Sequence, residues 1–141
     1  MFTMTNTLTG KKEQFASIHP GTVLLYVCGI TPYDMAHVGH GRSYVSFDLL
    51  RRWLTFLGYD VRYCRNYTDI DDKLLKKAQN KFNDPLRYKE IADHFIKQYQ
   101  EEMAALNCAT PDYEPRVTEN MPVIIAFIQK LIDQGHAYQA N

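Results

Sequence analysis

Val23-Leu24-Leu25-Tyr26-Val27-Cys28 is a short apolar run rich in β-formers, and it gives way through Gly29 and Pro32 to His37-Val38-Gly39-His40. A run of that length and composition fits a strand buried on both faces of a sheet. Beyond the histidines, Val45, Leu49, Leu50, Trp53, Leu54 and Leu57 recur at helical spacing, with Gly58 as a stop. Asp60-Val61-Arg62-Tyr63-Cys64-Arg65-Asn66-Tyr67 then reads as a second strand. Strand, helix and strand in this order predict a right-handed βαβ unit, and hence an α/β fold on a parallel sheet.

Upstream lies a polar lead-in that ends at Ile18-His19-Pro20-Gly21. Downstream, residues 71–80 predict a helix. Tyr88, Ile91, Ala92, Phe95, Ile96, Tyr99, Met103 and Leu106 then mark a strongly amphipathic one. Pro111, Pro115 and the charges around Glu114-Arg116 predict a connector, and Val123, Ile124, Phe127, Ile128, Leu131 and Ile132 a last helix capped by Gly135. All these apolar stripes are expected to pack into the core. Open parallel sheets bind ligands outside the carboxyl ends of their strands, so function is expected in the loop after the first strand and at the end of the second.

The 141 residues are 45% hydrophobic and 23% charged, the composition of an ordinary folded domain. Basic and acidic residues number 16 each, so the overall charge announces neither a nucleic-acid nor a membrane surface. Cys28, Cys64 and Cys108 are odd in number and far apart, which fits a reducing cytosol better than a disulfide framework. No stretch resembles a signal peptide or approaches the roughly 18 apolar residues of a membrane span. A cytoplasmic protein is expected, without a membrane partner.

His37-Val38-Gly39-His40 stands where strand passes into helix. If the helix begins near Gly39, its free N–H groups and positive dipole end suit a phosphate. The imidazoles of His37 and His40 would donate to phosphate oxygens, more strongly as charge builds up in a phosphoryl or nucleotidyl transfer. Gly39, without a Cβ, would let a purine lie against the backbone. Two ordinary polar loop residues are the competing interpretation, and the flanking strand and helix weigh against it.

Tyr26-Val27-Cys28-Gly29-Ile30-Thr31-Pro32-Tyr33-Asp34, His37-Val38-Gly39-His40-Gly41-Arg42 and Arg65-Asn66-Tyr67-Thr68-Asp69-Ile70-Asp71-Asp72-Lys73 closely resemble the start of the cysteinyl-tRNA synthetases. Asn6-Thr7-Leu8-Thr9 and Pro111-Asp112-Tyr113-Glu114-Pro115-Arg116-Val117-Thr118 extend the resemblance over nearly the whole chain. It implies a class I aminoacyl-tRNA synthetase with a Rossmann-type parallel sheet. Residues 1–110 would be the first part of the catalytic domain, and 111–141 the mainly helical start of an inserted, connective-peptide-like segment. The implied activity joins L-cysteine to tRNA(Cys) with ATP and Mg²⁺, through cysteinyl adenylate. The implied catalytic residues are His37 and His40, with His37, Gly39 and His40 binding ATP. Gly29, Thr31 and Thr68 would bind cysteine, with Asp34 also near substrate or nucleotide.

By residue type alone, Cys28 is a small hydrophobe ending a strand. The resemblance makes it the first of four Zn²⁺ ligands, the other three (a cysteine, a histidine and a glutamate) lying beyond this chain. Zinc takes a substrate thiolate far more readily than a serine hydroxyl, so discrimination by bond type would lessen the need for editing. Thr68 alternatively reads as a helix N-cap, and Asp69, Asp71 and Asp72 as acids of a first helical turn rather than metal ligands. Arg42 serves phosphate or structure. Lys73, Lys76 and Lys77 form a basic helical face expected to be solvated rather than bound to RNA.

The family's second signature, K-M-S-K-S, is absent from these residues, so the chain is expected to be an N-terminal piece, inactive alone, of a parent that is a monomer. Exposed sheet edges and apolar surface are expected in such a piece. Two other readings share the motifs. One is an ATP-dependent ligase of cysteine to an amino sugar, as in mycothiol synthesis, against which Gly41-Arg42 argues. The other is a non-catalytic nucleotide-binding module.

Overall fold

A computed structural model describes residues 2–140. A hairpin of β1 (Thr3–Asn6) and β2 (Lys11–Gln14) precedes the predicted unit. That unit consists of β3 (Thr22–Ile30), α1 (Val38–Phe56) and β4 (Asp60–Tyr67), with β3 and β4 paired in parallel. Then follow α2 (Asp72–Phe82), a 3₁₀ turn (Pro85–Arg87), α3 (Tyr88–Ala105) and α4 (Met121–Asp133). The α/β architecture on a parallel sheet is the one the sequence predicts.

The hairpin was not predicted, because its strands carry too few apolar residues to show an alternation. Turn chemistry holds it instead. Leu8 N–H donates to Asn6 Oδ1 at 3.0 Å, and Gly10, at φ 67°, closes the turn onto Asn6 O at 2.8 Å. Phe2 and Phe15 then pin it beside Leu54, Val23 and Val61.

The main core lies where β3, β4, α1 and α3 meet, around Val27, Ile30, Tyr44, Tyr63, Tyr67, Ile96, Tyr99 and Met103. A second cluster joins α2 to α3 through Leu74, Ala78, Ile91, Ala92 and Phe95. α2 is started by Asp71, whose carboxylate accepts Lys73 N–H at 2.8 Å, and stopped by Asn83 in the left-handed region at φ 56°. The N-cap is therefore Asp71 and not Thr68.

β3 is not buried on both faces. Val23, Val27 and Ile30 point inward, while Leu24 and Tyr26 on the other face are 67% and 62% exposed. The stripe on α1 divides likewise. Leu54 is buried, but Val45, Leu49, Trp53 and Leu57 are exposed. α4 departs furthest from expectation, with no buried residue and with Val123, Phe127, Ile128 and Ile132 open to solvent. Periodicity tells which face favours cover, not whether the cover lies in the same chain. The expected exposed apolar surface is thus present.

The connector is more ordered than its prolines suggest. Residues 112–117 run parallel to β4, with Arg65 N–H donating to Tyr113 O, Tyr67 N–H to Pro115 O, and Val117 N–H to Tyr67 O, all between 2.9 and 3.1 Å. Asp69, buried at 3% exposure, accepts from Thr118 N at 3.0 Å and Thr118 Oγ1 at 2.5 Å. It ties the end of β4 to this segment, a long-range role rather than that of a first-turn helix acid.

Candidate functional site

α1 begins in a reciprocal cap built from the two histidines. His37 Nδ1 accepts Gly39 N–H at 3.1 Å, and His40 Nδ1 accepts His37 N–H at 3.2 Å, with the rings 4.0 Å apart. A neutral imidazole that accepts at Nδ1 carries its proton on Nε2. Burial, reinforced by neighbouring His37, holds the His40 pKa below its ordinary value, which keeps this ring neutral at pH 7. Both rings therefore present Nε2–H donors.

The same cap alters the expected anion site. The amides of His40 and Gly41 bond to His37 O at 2.9 and 3.3 Å, and those of His37 and Gly39 are taken by imidazole nitrogens. The first-turn amides are thus largely spent, and the side chains remain as donors. Gly39 makes room for this arrangement, since a Cβ there would lie 2.9 Å from His37 Cε1.

A cavity of about 360 Å³ opens at the carboxyl end of β3. Gly29, Ile30 and Thr31 form one wall, the loop carrying Tyr33 and Asp34 another, and His37, His40 and Lys73 complete it. Gly29 and Thr31 of the expected cysteine-binding set and both histidines of the ATP-binding set therefore face one space. Asp34 also lines it, accepting Met35 N–H at 3.0 Å, which lowers its carboxyl pKa, and pairing with Lys77 at 3.4 Å. Gly39, Thr68 and Cys28 lie outside the lining. Thr68 is held one step away, donating its N–H to Ile30 O at 2.9 Å and accepting at Oγ1 from Asn66 at 3.3 Å.

Gly29 also has a structural role that its place in the sequence motif does not reveal. The β3–β4 register slips between Val27 and Ile30, and a Cβ on Gly29 would sit 1.5 Å from Asn66 O. Asn66 Oδ1 accepts Gly29 N–H and the Tyr26 hydroxyl, each at 2.9 Å, and so stitches the bulge. A glycine within a strand run was the available signal for it.

Cys28 is exposed on the open side of β3, its thiol 3.7 Å from Gly29 O. Among the described residues no group of three histidine, cysteine or acidic side chains is placed to hold a metal. On α2, Lys73 and Lys76 are exposed, as expected of a solvated face, and two of the lysines also lie over aromatic rings. Lys73 Nζ lies 5.0 Å from the Tyr33 ring centroid and Lys77 Nζ 4.3 Å from that of Phe95. Arg42 stands beside a neighbouring apolar groove with Val38, Val45 and Leu106.

A family model described as the class I (C) tRNA synthetase catalytic domain matches residues 14–141. The chain belongs to this synthetase family. Among the synthetase's relatives, a cysteine-tRNA ligase of Sulfurihydrogenibium sp. is 52% identical over 96% of the chain and 27% of that ligase. One of Cronobacter sakazakii is 45% identical over 100% of the chain and 30% of that ligase. The chain thus spans under a third of the length of these curated relatives. A LeuRS in a ternary complex with tRNA and LeuAMS, from Agrobacterium radiobacter K84, shares the fold at a TM-score of 0.63 and 20% identity, over 84% of this chain and 15% of that one. No described helix of this synthetase segment is long and apolar enough to cross a membrane.

Proposed function

We propose that this chain supplies the first part of the adenylate-forming site of a cysteine-tRNA ligase. One observation carries the reading: two imidazoles whose Nδ1 atoms accept from backbone amides, which leaves Nε2 as the donor, line a cavity beyond a parallel strand. In the proposed reaction a cysteine carboxylate oxygen attacks the α-phosphorus of ATP, and the bond from that phosphorus to pyrophosphate breaks. tRNA(Cys) then receives the cysteinyl group. His37 and His40 donate to phosphate oxygens as charge develops on them, and neither needs to lose a proton. Gly39 allows the cap. Gly29, Thr31 and Thr68 receive the cysteine, and Mg²⁺ accompanies ATP.

Zinc would supply thiolate recognition at Cys28. An exposed thiol at the end of a strand fits one ligand of such a shell, and the described residues offer no second, so the shell must be completed by other residues. Within this reading, residues 1–110 belong to the catalytic domain and 111–141 to the start of its insertion, and the parent acts as a cytoplasmic monomer.

The test is a chimera in which this chain replaces the matching 136 residues of the Sulfurihydrogenibium ligase, assayed for cysteine-dependent ATP-pyrophosphate exchange. Exchange is expected, with a loss of about 100-fold on His40→Ala. A folded chimera without exchange, or one indifferent to His37 and His40, refutes the proposal.

A further inference from the structure

Lys73 occupies a position its own helix disfavours. It follows the N-cap Asp71 by two residues, in the first turn of α2, where the helix dipole repels a cation. Three acids neighbour it in sequence, yet its ammonium is paired with none of them among the described residues. Asp71 spends its carboxylate on the Lys73 amide, and Asp69 spends its own on Thr118. The side chain lies instead over Tyr33, with Nζ 5.0 Å from the ring centroid, at the wall of the cavity that holds His37 and His40.

Lysine and arginine side chains otherwise do not line this cavity, and its carboxylate, Asp34, is matched by Lys77 from outside the lining. The wall of this space therefore holds a lysine ammonium with no ion-pair partner among the described residues, beside the two imidazoles. A local arrangement that runs against the helix dipole without a partner in the fold is characteristic of a functional position. An aromatic face holds an ammonium in place while leaving its N–H bonds free for an incoming anion.

We propose that Lys73 is a phosphate-binding residue, receiving the triphosphate tail of the nucleotide opposite the two histidines. This rests on the nucleotide reading of the cavity. It assigns the charge that binds the tail within this chain, and it gives Tyr33 the role of positioning that charge.

Calorimetric titration of the chimera that carries this chain in the Sulfurihydrogenibium ligase, with Mg-ATP and with adenosine at low and high salt, tests the assignment. Lys73→Met keeps the apolar stem over Tyr33 and removes the charge. It should weaken ATP about tenfold, or 1.4 kcal/mol, leave adenosine binding and thermal unfolding unchanged, and flatten the salt dependence of ATP binding. Lys73→Arg should restore most of the ATP affinity. Equal ATP affinity in wild type and Lys73→Met, or parallel loss of ATP and adenosine, overturns the assignment while the nucleotide site survives. Failure of the folded wild-type chimera to bind either ligand overturns the nucleotide reading itself, and this assignment with it.

Discussion

Replacing Glu114 by alanine strips the carboxylate from a guanidinium that the fold has already taken out of water. Arg65 is 3% exposed and donates from Nη2 to Glu114 Oε1 at 2.8 Å. The Tyr67 hydroxyl donates to the same oxygen at 2.7 Å, and Gln100 Nε2 to Oε2 at 3.3 Å. Burial, with the adjacent carboxylate, pushes the Tyr67 pKa up, so that hydroxyl remains a donor. Breaking a buried pair by removing one partner costs about 3–5 kcal/mol. The guanidinium retains the faces of Tyr44 and Tyr99, 5.0 and 4.9 Å from their centroids, which places the loss near the lower bound, about 3 kcal/mol. That is a large part of the roughly 5–15 kcal/mol that stabilises a domain. Urea unfolding of wild type, Glu114→Ala, Arg65→Met and the Arg65→Met/Glu114→Leu pair measures it. The double variant should recover to within about 1 kcal/mol of wild type, because no charge is then left buried. Hydrogen exchange should quicken in Glu114→Ala at the Arg65 and Tyr67 amides, which bond to Tyr113 and Pro115. A cost under about 1 kcal/mol for Glu114→Ala, or simple additivity in the double variant, would show that this network does not hold residues 112–117 to the sheet.

Three further outcomes follow from the site. Gly29→Ala should destabilise by about 4 kcal/mol or prevent folding, since its Cβ would meet a backbone oxygen at 1.5 Å, whereas Gly41→Ala meets only the flexible end of Leu106 at 3.2 Å and should cost under about 1 kcal/mol; denaturation midpoints compare the two. Nitrogen-15 NMR of the imidazoles should show Nε2–H tautomers for His37 and His40. Because the folded pKa of His40 lies below its unfolded value, its contribution to stability is intact above the unfolded value near 6.5 and is lost as pH falls from there through the folded one. His40→Gln should reduce the slope of stability against pH over that window, and an unchanged slope would contradict the lowered pKa.

The elements with a local cause were legible in advance. The parallel strand pair, the helix between them and the amphipathic α3 are written in apolar spacing, and the stops at Gly58 and Gly135 in residues suited to positive φ. The hairpin was hidden because its strands are polar, and the bulge at Gly29 because its cause is the carbonyl of Asn66 on another strand. At the site, the two histidines could be chosen from their place between strand and helix. Their reciprocal cap, which consumes the amides expected to bind phosphate, depends on how both rings turn back onto the chain, which spacing alone does not show. Lys73 was invisible as a cavity residue, because with Lys76 and Lys77 it reads as part of a solvated basic helix face, and its place beside Tyr33 depends on a loop 40 residues away.

From its residues alone this chain determined an α/β frame, the strand–helix–strand order of its parallel unit and the helices that follow, since these depend on contacts within a turn or on a short repeat. Pairings such as Arg65 with Glu114 and Asp69 with Thr118 join residues 49 apart. Whether a charge is buried and matched, which apolar stripe finds a partner and which nitrogen of an imidazole is left free are settled by the packing of distant segments, because desolvation and hydrogen-bond geometry depend on every neighbour that folding brings into place.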